Sequence, residues 1–113
     1  MKKFKGSDPQ LTAGPLDLPG LADYQEGAIV SRTIIDKDAG TVTLFAFDKG
    51  QKLSPHSAPF DAFVQIIEGR ALVIIDKEEY PLSAPAAILM PADIPHAVQA
   101  LERFKMLLTM VKS

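Results

Sequence analysis

The 113-residue chain contains no cysteine, and that one absence removes disulfides, thiolate zinc sites and cysteine nucleophiles. It has no strong excess of either charge. The formal net charge is −2 and the pI is near 5.6, so nothing draws the chain to nucleic acid or to an anionic membrane. The three lysines of MKKFK form only a short solvated start. No apolar run approaches the roughly 20 residues that a membrane-spanning helix requires. Gly6, Asp8, Pro9, Gly14 and Pro15 interrupt the stretch where a secretory signal would carry its apolar segment, and a soluble cytoplasmic protein is expected. No serine sits on a G-x-S-x-G elbow and no glycine-rich phosphate loop is present. The adjacent carboxylates Glu78 and Glu79 read as a solvated corner between strands rather than an acid/base pair.

What is present is β-sheet sequence. Residues 1–27 show no sustained period and are expected to form an irregular N-terminal arm, leaving 28–113 as one domain with one core. Segments 28–35, 41–48, 61–68, 71–76, 86–91, 95–100 and 104–111 are rich in β-branched and aromatic residues. Short polar separators divide them, among them Asp48-Lys49-Gly50, Lys77-Glu78-Glu79 and Leu101-Glu102-Arg103. No window carries an apolar stripe of helical period over three turns. The pattern predicts an all-β sandwich or small barrel.

Alternation assigns faces. In 61–68, Ala62, Val64 and Ile66 share one side, small and apolar as a barrel interior requires, and Asp61, Phe63 and Gln65 take the other. Met90, Met106 and Met110 suit irregular apolar space. With Ala58, Ala62 and Val64 they are the expected walls of an interior pocket. The strand 104–111 is apolar on both faces, as is 71–76, which predicts cover on the outer side by a partner subunit, most simply a second copy.

Two histidines complete the pattern. Gly50 is followed by five residues and His56, Gly69 closes that segment, and PADIPH (91–96) supplies His96 after a proline-rich turn. Over about Ile29 to Val111 this resembles the cupin superfamily, in its small single-domain conserved-barrel form. The resemblance implies a jelly-roll barrel, RmlC-like, with an interior site. It also implies four metal ligands, of which two stand here, His56 and His96. The position of the second motif histidine holds Ala58, and that of the glutamate holds Ala62.

A divalent transition metal (Fe, Mn, Ni or Zn) is thus one implied cofactor, held by His56 and His96 with Asp61 as a third candidate ligand. Strand parity points Asp61 outward, and only a β-bulge at the strand start would turn it in. The leading expectation is a stand-alone small-molecule-binding barrel. Its rivals are a metal-dependent oxygenase or isomerase and a non-catalytic dimeric module with a solid interior.

Overall fold

The structure, a computed structural model, describes Leu11 and residues 13–112. Nine strands account for most of it: β1 (Ile29–Lys37), β2 (Gly40–Phe47), β3 (Lys52–His56), β4 (Phe60–Glu68), β5 (Arg70–Ile75), β6 (Glu78–Ser83), β7 (Ala87–Met90), β8 (His96–Ala100) and β9 (Phe104–Lys112). They form two antiparallel sheets, β1-β2-β9-β4-β7 and β3-β8-β5-β6, in the jelly-roll arrangement expected. No helix among the described residues is long and apolar enough to cross a membrane.

Seven of these strands coincide with the apolar segments of the sequence, and two do not. β3 (KLSPH) and β6 (EEYPLS) each contain a proline and few apolar residues. Both are edge strands of the smaller sheet, where a missing N–H breaks no ladder bond and a charged side chain meets water. The correction extends to Glu78 and Glu79, which open β6 and lie opposite Ile75 and Ile74 instead of forming a corner. The corner itself is Asp76-Lys77, with Asp76 at a φ of 56° that aspartate tolerates better than most residues.

The two sheets enclose one core. Phe47, Phe104, Val64, Ile66, Val73 and Met106 are essentially inaccessible, and the Phe47 and Phe104 rings stack with centroids 4.5 Å apart. Gly69 has a φ of 78°, and a Cβ there would collide with the Arg103 carbonyl, so the β4–β5 turn can press against the start of β9 only through glycine.

The arm is not free of the domain. Its described residues are irregular apart from one 3₁₀ turn (Pro19–Leu21), and Leu21, Ala22 and Tyr24 lie on the outer face of the five-stranded sheet. There Ala22 packs with Leu44 and Ala46, flanked by Leu21, Tyr24 and Leu107. A polar staple holds it: Tyr24 donates its hydroxyl to Glu68 at 2.7 Å, and its ring lies under both Arg103 (5.3 Å) and Lys105 (4.8 Å). The Lys105 ammonium, almost completely buried, donates to the Pro19 carbonyl. Burial, and next the hydrogen bond to Glu68, hold the Tyr24 phenol well above its ordinary pKa. At the arm's end Asp48 accepts from the Gly27 N–H at 2.7 Å and from Arg103 at 2.8 Å, and these bonds, Gly27's first, lower its pKa. Part of the outer apolar surface of β2 and β9 is therefore covered by the chain itself.

Candidate functional site

His56 ends β3 and His96 begins β8, and the two are directly opposed in the ladder. Pairing is lost between Leu53 and His56, where Pro55 has no N–H to offer, and resumes at the histidines. The irregularity frees the Ser54 carbonyl, and the His56 ring turns back onto it with Nδ1 2.9 Å away. His96 repeats the device on the Ile94 carbonyl at 3.2 Å. A carbonyl only accepts, so each Nδ1 carries a proton, and in the neutral ring Nε2 keeps the lone pair. The rings stand edge to face with centroids 4.4 Å apart and planes at 66°.

Their surroundings differ. His56 is exposed, whereas His96 is 8% exposed. Burial is the main reason the His96 imidazole titrates below its ordinary value; the Ile94 carbonyl opposes that shift and nearby His56 adds to it. Burial thus favours the neutral form of His96.

Across the barrel, the five-stranded sheet presents a register row at the corresponding end: Met90, Ala62, Met110 and Thr41 are successive cross-strand partners on β7, β4, β9 and β2. The Thr41 hydroxyl is buried and has no hydrogen-bond partner, the one such side-chain atom among the described residues. Nothing in the sequence marked it, because a threonine in a strand is ordinary on either face.

The residues expected at the site fall into groups. His56 and His96 converge. Ala62 and Met90 are 3% exposed and border a depression of about 300 Å³ that Asp61, Leu89 and Pro91 complete. Met110 is half-buried against the core, and the carbonyl of half-buried Ala58 accepts from the Asp93 N–H at 2.8 Å. Val64 and Met106 lie deeper, packed in the closed core. Asp61 stays outward: it pairs regularly with Val111, the β4 irregularity comes later, between Ile66 and Glu68, and its Oδ1 accepts from the Ala92 N–H at 2.9 Å.

No group of three or more His, Cys, Asp or Glu that could hold an ion occurs among the described residues. Two imidazoles fall short of the three or four protein donors that set geometry and selectivity for a first-row metal, so this donor set does not fit one.

A closed antiparallel barrel with an imidazole pair at its mouth defines the class, and comparison with known proteins gives the family. The model of the Cupin domain family matches residues 43–111, and the chain belongs to that family. It is similar to a conserved protein of unknown function from Streptococcus pyogenes, 38% identical over 97% of this chain and 96% of that one, with a TM-score of 0.90. A cupin 2 conserved barrel domain protein from Leptotrichia buccalis is 39% identical over 86% of this chain and 47% of that one, with a TM-score of 0.84. Among curated proteins, the polyketide synthase CurC of Streptomyces cyaneus is 29% identical over 69 residues; this chain spans 45% of its length.

Proposed function

We propose that this cupin barrel binds a small molecule at the mouth where His56 and His96 meet. The observation that carries the reading is the contact between the two rings, 4.4 Å apart, from strands distant in sequence. Both Nδ1 groups are committed to backbone carbonyls, so the two Nε2 atoms are what this pair of adjoining rings has to offer a ligand. The partnerless Thr41 hydroxyl, on the inward parity of β2, supports it from the other sheet, because a bound polar group would satisfy an atom that folding leaves unpaired. Apolar walls with a few convergent polar groups are the ordinary make-up of a small-molecule site. The matching ligand carries a weakly acidic hydroxyl, of the phenol or enol kind, to donate to an imidazole, and an apolar body to lie on Ala62, Met90 and Met110.

Phenol is a suitable probe. Added at millimolar concentration to isotope-labelled protein, it is expected to shift the imidazole resonances of both histidines saturably, and His96→Ala is expected to abolish the effect at His56. Unmoved histidine resonances would overturn the reading. The metal-dependent oxygenase or isomerase ranks second. The free Nε2 pair favours it, but it needs donors beyond the two that the described residues supply.

A further inference from the structure

The smaller sheet carries a hollow on its outer face, turned away from the barrel interior. In the β3–β8 ladder Leu53 lies opposite Val98 and both pack toward the core, so the neighbouring pair, Lys52 and Gln99, projects outward. Past Leu53 two residues of β3, Ser54 and Pro55, stand against the single residue Ala97 of β8. This is a β-bulge, and it bends the edge strand locally. The Ser54 carbonyl accepts from His56 Nδ1, which ties the bulge in place. Ala97 shares the outward parity of Gln99 and pairs with Ile74 on β5, yet it is only 5% exposed. It is the floor of a hollow of about 160 Å³, which has Leu53, Pro55 and Ile74 on its apolar sides and Lys52, Ser54 and Gln99 on its polar ones.

We infer that this hollow is a second binding site, for a small carboxylate built on a single apolar ring. The volume sets the body of the ligand, since an apolar cavity of about 150 Å³ takes one benzene ring. The polar side sets its head group. Lys52 makes no ion pair among the described residues, and the Ser54 hydroxyl and Gln99 amide bring two neutral donors to the same hollow. Three donors therefore border it and no carboxylate does. Glu79 pairs with Ile74 from β6, on the side away from Ala97, and is not part of the wall. A single cation with neutral donors beside apolar surface matches a carboxylate on a ring better than it matches a neutral or cationic molecule. Lys52 is exposed, so its charge orients the ligand more than it holds it, and burial of the ring supplies most of the attraction. For a ligand this small the expected affinity is millimolar. The site opens on the opposite face of β3 and β8 from the core and does not rest on the reading of the mouth.

Benzoate, titrated at neutral pH into the isotope-labelled full chain, tests this. The backbone amide resonances of Lys52, Ile74 and Ala97 are expected to shift saturably, with half-saturation in the millimolar range. Benzyl alcohol keeps the ring without the charge, and acetate keeps the charge without the ring. Each is expected to bind about fivefold more weakly than benzoate, or worse. Lys52→Met is expected to weaken benzoate by about fivefold, and because Lys52 is exposed the variant is expected to fold as the wild type does. Three results would overturn the inference: no saturable shift at these amides, benzyl alcohol or acetate binding as well as benzoate, or a benzoate response that Lys52→Met leaves unchanged. If the variant fails to fold, the comparison of the three ligands on the wild type decides alone. The phenol titration reads the imidazoles and the benzoate titration reads the hollow, so either reading can fail without the other.

Discussion

The two ends of the barrel are built on opposite terms. At one end Phe47 and Phe104 stack, Ala71 and Ala100 pair in register behind them, and all are essentially dry. At the other, the corresponding positions hold His56, His96, Met90, Met110 and a threonine hydroxyl with nothing to bind. Strands β2, β8 and β9 run through both ends, so much of the contrast lies in side chains, and the break at Pro55 adds the rest. It teaches that the closed end supplies the stability that lets the mouth carry polar groups in imperfectly satisfied positions, because a packed floor tolerates a costly rim.

Substitutions sharpen the contrast. Phe104→Ala removes a stacked, fully buried ring from the floor and is expected to cost about 3–5 kcal/mol in urea unfolding, the largest effect of the set. A loss below about 1 kcal/mol would show that the floor is not where stability resides. Tyr24→Phe keeps the ring beneath Arg103 and Lys105 but loses the hydroxyl bond to Glu68, for about 1 kcal/mol in the same assay.

The mouth answers to pH. His96 binds its proton less readily in the folded chain than in the unfolded one, so as pH falls below the ordinary 6.5 the unfolded chain takes up the proton first. Stability is therefore expected to be full above that value and to decline beneath it, and His96→Gln is expected to flatten this part of the profile. An unchanged profile would place the His96 ring in water. The smallest effect is assigned to His56→Ala. Exposed, with one backbone hydrogen bond, it is expected to change stability by less than about 0.5 kcal/mol while removing the phenol response. A cost comparable to that of Phe104→Ala would make the mouth structural and erase the distinction between the ends.

Much of this was legible in order of residues. Strands whose sides alternate, such as Ala62, Val64 and Ile66 against Asp61, Phe63 and Gln65, announce their inward face because burial selects by hydrophobicity at period two. The outward parity of Asp61 was legible for the same reason. β3 and β6 were hidden, since edge strands with Pro55 and Pro81 need neither a full ladder nor an apolar face. Within the arm nothing set Tyr24 apart, because its partners Glu68, Arg103 and Lys105 are far away in sequence. The apolar outer side of β9 had two coverings, one from the arm at Leu107 and one left open at Val111, and a one-dimensional pattern assigns both the same meaning.

The sequence by itself determined the class of fold, the inward residues and the presence of two histidines in a family pattern, because these follow from periodicity and spacing along the chain. Only the tertiary structure decided that the two imidazoles face each other with Nδ1 spent on backbone carbonyls, that no third acidic or imidazole ligand joins them among the described residues, and that Lys52 and Gln99 pair beside a hollow on the outer face of the smaller sheet. Those facts depend on strand register and on the break at Pro55, which set the meeting of side chains 40 to 47 positions apart, and pairing between distant strands is chosen by the packing of the whole rather than by any local stretch.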